Sequence, residues 1–351
     1  MVTVTANIGT GVMRSALRLQ ENFIEYKEEK HIEKLSTGCY SCEHACGSEA
    51  CASCQNKVYE THLKKVYRNE KNRYGNRKAL KRNAIMLFMY FHYLNPDKAG
   101  HVYIDIEDAA KVIGCDVKTI RNNLYLLNKE GYIILGKTDC PGYYQLFITD
   151  YKNYFKKASE NGRGYTTLSK EFFYELLKLK DINSLRLVLR NFLFSIESGA
   201  KNIGRKERTY KEVKRELPKY VTQKSIKEAL KSQTFGTLFD VTEKKRTVIM
   251  NVKQNFNPLE ITNRLRSECY NKVMSFIHNI NNNRKMGAFF SISLEEMNDI
   301  TSIALKYPLN AILKGLDRFY NDYIVTEEPV YNTGALLRTI VKTTAEVGAC
   351  I

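Results

Sequence analysis

The sequence predicts a mainly α fold with small β elements, an α+β class divided into several domains. Three observations lead to this prediction: the length of 351 residues, long stretches with apolar residues at a period of 3.6, and two segments in which paired helices precede short strands. We expect four parts: an N-terminal helix with a cysteine-rich knuckle (1–76), two similar units (77–160 and 161–256), and a helical C-terminal domain (257–351).

The net charge of +17 favours a polyanionic partner, because Lys and Arg that neutralise phosphates release counterions. No run of about 18 apolar residues is present, so no membrane-spanning helix is expected. The first 20 residues lack the apolar segment of a signal peptide. We therefore expect a cytoplasmic protein without a membrane partner. Disulfides are rare in the cytoplasm.

The most informative motif is IDIEDAAKVIGCDVKTIRNNLYLLNKEGYIIL, at residues 104–135. Gly114 is placed to end one helix, and Asp116 to cap the next. The second helix has one apolar face, formed by Ile120, Leu124 and Leu127. A strand, a turn at 137–142 and another strand to residue 148 follow. This succession resembles a winged helix-turn-helix, which presents one helix to the major groove of double-stranded DNA.

The polar face of that second helix is the predicted DNA-binding face. Arg and Lys suit guanine edges or phosphates, and Asn suits adenine. From this face and the following turn we predict DNA contacts at Lys118, Thr119, Arg121, Asn122, Tyr125, Lys129 and Lys137.

A second copy of the motif is predicted at residues 209–252. Thr222 takes the capping position of Asp116, and the segment 235–239 stands where the first strand of the earlier hairpin stood. The turn between the two helices is longer than in the first copy. Here the predicted DNA contacts are Lys224, Lys227, Lys231, Lys244, Lys245 and Arg246. For both copies, a winged fold used only for protein contacts stays open as an alternative.

Five of the nine cysteines lie within residues 39–54. Two Cys-x-x-Cys pairs predict a structural zinc site, since zinc takes four thiolate or imidazole ligands in a tetrahedron. The predicted ligands are Cys39, Cys42, Cys51 and Cys54, and Cys46 or His44 could replace one of them. An iron–sulfur cluster, which also takes four thiolates, and reduced cysteines or a redox switch remain alternatives.

Further helices are predicted at both ends of the chain. One covers residues 12–34, and four follow in the C-terminal part, at 260–279, 294–306, 310–323 and 333–346. The ending PVYNTGALLRTIVKTTAE resembles a terminal helix of replication proteins from Gram-positive phages and plasmids. A plain helical bundle that forms a homodimer is the alternative.

Taken together, the motifs at 104–148 and 209–252 resemble a tandem winged-helix replication initiator of plasmids or phages. The resemblance implies binding to repeated origin DNA and recruitment of a helicase or helicase loader. The cysteine cluster is not part of the usual pattern. A transcriptional regulator of a mobile element would use the same DNA contacts, so both functions stay open, as does an adaptor role.

An enzyme is not expected. The six histidines are scattered, whereas a DNA nickase needs a pair of metal-binding histidines beside a nucleophilic tyrosine. No glycine-rich phosphate loop with Lys-Ser/Thr is present, which argues against ATP hydrolysis.

Overall fold

The computed structural model describes residues 3–18, 22–35, 57–69, 79–136, 138, 140–156, 160, 162, 164–197, 207–283 and 289–347, with only the backbone described at 22–35, 57–69, 197 and 346–347. Helices predominate over small antiparallel sheets, which confirms the predicted mainly α, α+β class. Gln20–Arg77 forms one compact unit, and Met1–Leu19 with Lys78–Ile351 forms the other. None of the described helices has the length and apolar character needed to cross a membrane.

The first unit, Gln20–Arg77, contains a long antiparallel pair of strands. β2 (Asn22–Leu35) pairs with β3 (Lys57–Asn69), with Asn22 opposite Asn69 and Leu35 opposite Lys57. The helix predicted at 12–34 is therefore wrong over most of its length, since only its first residues are helical. The Glu- and Lys-rich segment has good local helix formers, but pairing with a strand far along the chain overrides that preference.

A strand followed at once by a helix occurs twice in the other unit. The first copy is β1 (Thr5–Gly9) and α1 (Thr10–Ala16), and the second is β7 (Tyr165–Ser169) and α5 (Lys170–Lys178). β1 and β7 pair antiparallel over their whole lengths, with Asn7 opposite Thr167 at the centre. A local two-fold axis through this central pair therefore relates the β1–α1 element to the β7–α5 element. We call this the local two-fold relation.

Two arginines strengthen this two-fold relation. Arg82 Nη2 donates a 2.7 Å hydrogen bond to the Leu177 carbonyl near the end of α5, and Arg190 Nη2 donates a 2.9 Å bond to the Leu17 carbonyl at the end of α1. Leu17 and Leu177 occupy equivalent positions, each the eighth residue after its strand. Each arginine thus satisfies a carbonyl at a helix C-terminus, where positive charge is favourable. Arg82 and Arg190 lie on the next helices, α2 (Arg82–His92) and α6 (Ile182–Glu197).

We call β1, α1, α2 and the elements that follow to residue 148 the first module. After α2 it continues with β4 (His101–Asp105), α3 (Ile106–Ile113), α4 (Val117–Lys129), β5 (Ile133–Leu135) and β6 (Tyr143–Ile148). The three strands form an antiparallel sheet in the order β4-β6-β5. Helix α2 is buried on every side because it packs against α3, α4 and β1. The predicted helices and hairpin of this region are confirmed.

The second module comprises β7, α5, α6 and the elements that follow to residue 252. After α6 it has the order of the first module with one additional helix, α9: β8 (Glu207–Thr209), α7 (Tyr210–Arg215), α8 (Gln223–Leu230), α9 (Gln233–Leu238), β9 (Phe239–Glu243) and β10 (Thr247–Val252). Its sheet order, β8-β10-β9, matches that of the first module. The strand predicted at 235–239 is wrong for residues 235–238, because Ser232 accepts a hydrogen bond from Phe235 N and caps a short helix there. Only Phe239, the first residue of β9, is in a strand.

The described part of the C-terminal region contains four α-helices, at the places the sequence predicted. They are α10 (Pro258–Asn283), α11 (Leu294–Ile303), α12 (Leu309–Phe319) and α13 (Thr333–Val347), with a π-helical turn at Tyr320–Ile324. Their shared core contains Val273, Ile300, Leu316 and Val341. The residue before β1 contacts this domain, since Val4 N donates a 2.9 Å hydrogen bond to the Lys306 carbonyl after α11.

Candidate nucleic-acid interface

Helix α4 separates its apolar and polar residues onto opposite faces. The side chains of Ile120, Leu124 and Leu127 are fully buried, which fixes the orientation of the helix. The opposite face is exposed and carries Lys118, Arg121, Asn122, Tyr125 and Lys129. Among the residues that the structure describes, none forms an ion pair with Lys118, Arg121 or Lys129. Their charges are therefore available to an external anion.

The N-terminus of α4 is held by a local hydrogen-bond network. Asp116 Oδ1 accepts a 2.6 Å bond from Thr119 N, and Thr119 Oγ1 donates a 2.9 Å bond to Asp116 Oδ2. These two bonds lower the pKa of the Asp116 carboxyl, so that it stays ionised as an N-cap. The Thr119 hydroxyl already donates a hydrogen bond to Asp116 at the N-cap. This structural role competes with the DNA contact that was predicted for Thr119.

Tyr125 is tied to the hairpin beside α4. Its ring is 53% exposed, and its side chain is hydrogen-bonded to Tyr144 on β6, which raises the pKa of Tyr125. The connection between β5 and β6 ends at Gly142, whose φ of +86° favours glycine, and Thr138 Oγ1 donates to the Tyr143 carbonyl within it. The predicted contact Lys137 lies in this connection but outside the described residues.

In the second module, the predicted contacts on α8 fall into two groups. Lys224 and Lys231 are exposed. Lys227 is partly buried: its Nζ lies 3.9 Å from Glu243 Oε2 and 5.2 Å from the centroid of the Tyr210 ring. Tyr210 Oη also donates a 2.8 Å bond to Glu243 Oε2, and burial followed by this bond raises the pKa of Tyr210 to about 12. Lys227 therefore has an internal role that joins α7, α8 and β9.

The turn between β9 and β10 contains three exposed cationic residues, Lys244, Lys245 and Arg246, as the sequence predicted. Lys244 Nζ forms a 3.0 Å ion pair with Glu207 on β8. Hydrogen bonds from Thr247 and Lys244 lower the pKa of Glu207, which keeps this pair charged. Lys245 and Arg246 form no ion pair with any described residue, so they carry the available charge of this turn.

The outer faces of the two sheets differ in chemistry. In the first module, large apolar side chains are exposed there: Tyr103, Ile134, Tyr143 and Phe147. Applying the strand registers to the second module gives polar residues at the equivalent positions: Glu207, Asp240, Thr247 and Asn251. This exposed apolar face is not among the contacts predicted from the sequence, although the alternation of polar and apolar residues along β4 and β6 was a usable signal.

One cation of the second module, Arg208 on β8, is buried and internal. Its Nη2 lies 2.8 Å from Glu216 Oε1, its Nη1 donates a 3.0 Å bond to Asn191 Oδ1, and its guanidinium stacks 4.3 Å from the Phe194 ring centroid. It belongs to a basic segment of the sequence, but these contacts exclude it from the candidate interface.

The predicted zinc ligands Cys39, Cys42, Cys51 and Cys54, with Cys46 and His44, lie outside the described residues. The cluster belongs to the segment that connects the paired strand ends Leu35 and Lys57. Within the described ranges, no group of three or more His, Cys, Asp or Glu side chains is arranged to hold a metal ion.

No protein-family model matches this sequence, and no curated protein is significantly similar to it.

Proposed function

We propose that the two modules contain winged helix-turn-helix units, and that the protein binds double-stranded DNA in a sequence-specific way through α4 and α8. Two observations support this proposal: the order strand, two helices, two strands in the first module resembles that of a winged unit, and the second module has the same order with the added helix α9. The sheet orders β4-β6-β5 and β8-β10-β9 also correspond. The main support is the exposed face of α4. Its cationic side chains have no ion-pair partner among the described residues, and the helix is capped at its N-terminus and held by its buried side.

The chemistry of this face suits the major groove. Arg121 and Asn122 carry the donors that recognise guanine and adenine edges, while Lys118 and Lys129 suit phosphates. Of the predicted contacts in the second module, Lys224, Lys231, Lys245 and Arg246 form no ion pair with a described residue. The net charge of +17 supports a polyanionic partner.

The two-fold relation between β1–α1 and β7–α5 supports a bipartite target. If both helices enter the major groove, their half-sites have opposite polarity along the duplex, as for the two subunits of a dimeric helix-turn-helix protein. Here both units belong to one chain, so one molecule would read both half-sites.

For the biological role, we propose initiation of plasmid or phage replication by binding origin repeats, with a helicase or helicase loader as a further partner. The support is the resemblance of the two motifs and of the terminal helix to replication proteins. A transcriptional regulator of a mobile element remains the second candidate, since it would use the same residues.

Two experiments test these proposals. Selection of binding sequences from random duplexes, followed by titration at several salt concentrations, tests sequence-specific binding; failure to enrich any sequence contradicts it. A replicon test separates the two roles: the gene and its flanking DNA are placed on a plasmid without an origin. Autonomous maintenance supports initiation, whereas repression of a reporter without maintenance supports regulation.

A further inference from the structure

Tyr125 is the only aromatic residue of α4, and it lies on the exposed face of this helix. Its side chain is 53% exposed. Arg121 and Asn122 lie one helical turn before it and Lys129 one turn after it, so all three are its neighbours on the helix surface. The ring of Tyr125 therefore adds apolar surface to a face whose other predicted DNA contacts are polar or charged.

The side chain of Tyr125 is held from within the first module. It is hydrogen-bonded to Tyr144 on β6, so this pair connects α4 to the hairpin. Each phenol has one hydroxyl hydrogen, and the bond between the two side chains uses one of the two. The bond also restricts the ring before any partner binds, which reduces the side-chain entropy that binding costs. Tyr125 thus offers an external partner a ring whose position is already fixed.

The second module has no tyrosine pair at the corresponding positions. Counted from the helix N-caps, the residue equivalent to Tyr125 is Lys231. Counted along the paired strands, the residue equivalent to Tyr144 is Val248. Lys231 is exposed, whereas Val248 is fully buried. At the same point on its surface, the second module therefore presents a flexible cation where the first presents a held aromatic ring.

We propose that the ring of Tyr125, positioned by Tyr144, contacts the methyl group of a thymine in the half-site of the first module. This inference rests on the proposed binding of duplex DNA through α4. The thymine methyl lies in the major groove and is recognised there by apolar contact. Because Lys231 stands at the equivalent position, the second module reads no methyl group at this point. The two half-sites of the bipartite target therefore differ, and the target is asymmetric.

Replacement of single thymines by deoxyuridine tests this contact, because deoxyuridine forms the same base pair and lacks only the methyl group. The duplex is the one selected from random sequences, and fluorescence anisotropy with the full-length protein measures the affinity. We expect one thymine whose replacement weakens binding of the wild type about fourfold, the loss for one methyl group that is no longer buried. Tyr125→Ala should bind both duplexes equally at that position, so the two changes are not additive.

Two further variants separate the roles of the residues. Lys231→Ala, the matched control at the equivalent position, should weaken binding to both duplexes equally and keep the preference for thymine. Tyr144→Phe retains an aromatic ring on β6 but removes its hydroxyl, so it should reduce that preference without changing the salt dependence of binding. A loss of stability alone would not change the ratio of the two affinities.

The proposal is overturned if no thymine replacement weakens binding of the wild type, or if the half-site read by the first module contains no thymine. It is also overturned if Tyr125→Ala keeps the preference for thymine, or if Lys231→Ala loses it. Failure to enrich any sequence from random duplexes contradicts the proposed function itself, and this inference with it. Specific binding without a dependence on the methyl group contradicts this inference alone.

Discussion

Thr167 Oγ1 donates a 2.9 Å hydrogen bond to Asn7 Oδ1 at the centre of the β1–β7 pair. This contact lies on the local two-fold relation between the two modules. Together with the arginine contacts to Leu17 and Leu177, it joins the modules by internal backbone pairing and charged hydrogen bonds. Helices α4 and α8 are therefore parts of one connected framework.

The first prediction concerns the spacing of the two DNA half-sites. Because one connected framework holds both helices, we expect their spacing to be fixed. Inserting about 5 or about 10 base pairs between the half-sites should then reduce affinity to that of a single half-site. Fluorescence anisotropy with a spacer series measures this. If the affinity recovers when about 10 base pairs are inserted, the two units are flexibly tethered. If the affinity does not depend on the spacing, only one unit binds.

The second prediction concerns the polar face of α4. The double substitution Lys118→Ala/Arg121→Ala should weaken specific binding by at least about tenfold and reduce the salt dependence by about two ion equivalents, since two contacts are lost. Both side chains are exposed, so the melting temperature should stay close to that of the wild type. Lys111→Ala, an exposed cation on α3, is the control. Unchanged affinity for the selected site would remove α4 from the interface.

The third prediction separates cations with internal partners from available ones. Lys244 is paired with Glu207, whereas Lys245 beside it has no ion pair among the described residues. Lys245→Ala should therefore reduce DNA affinity more than Lys244→Ala does. Glu207→Gln should strengthen binding, because it releases Lys244 and removes a negative charge. Equal losses for the two lysine variants, with no gain for Glu207→Gln, would contradict this distinction.

The sequence predicted the elements whose signals are local. Asp116 and Thr222 cap α4 and α8 as expected, and the apolar face of α4 is buried as its spacing required. Distant pairing was not predictable: no local pattern places Thr5–Gly9 opposite Tyr165–Ser169, or Asn22–Leu35 opposite Lys57–Asn69.

The candidate interface was likewise only partly predictable. Spacing alone identified the exposed face of α4, because a buried face implies an opposite exposed one. It did not show that Lys227 lies against Tyr210 and Glu243, or that Lys244 pairs with Glu207. Each contact joins residues that are far apart in the sequence. Their proximity depends on the strand order β8-β10-β9, which no local pattern predicts.

The fourth prediction concerns the cysteine segment. We expect one zinc ion per chain by elemental analysis of protein purified without chelators, since two Cys-x-x-Cys pairs supply four thiolates. Cys39→Ser/Cys42→Ser should lose the metal, while Cys269→Ser, a change to a cysteine buried in the C-terminal domain, should retain it. Iron with sulfide would indicate the cluster alternative, and metal-free wild-type protein would contradict both.

The fifth prediction is a pH dependence of stability that originates at His92. Its pKa falls from the ordinary value of 6.5 to about 4 because the ring is buried, so between these values the unfolded chain binds a proton that the folded chain does not. Stability should therefore decrease as the pH falls through this interval. The loss attributable to His92 should reach about 2 kcal/mol at pH 5, relative to pH 7.

Urea unfolding at pH 7 and pH 5 measures this loss, with His92→Gln as the comparison, because a glutamine stays neutral throughout. The wild type should lose about 2 kcal/mol more than the variant between the two pH values, whatever the variant costs at pH 7. Parallel losses in both proteins would mean that the imidazole is protonated in the folded state.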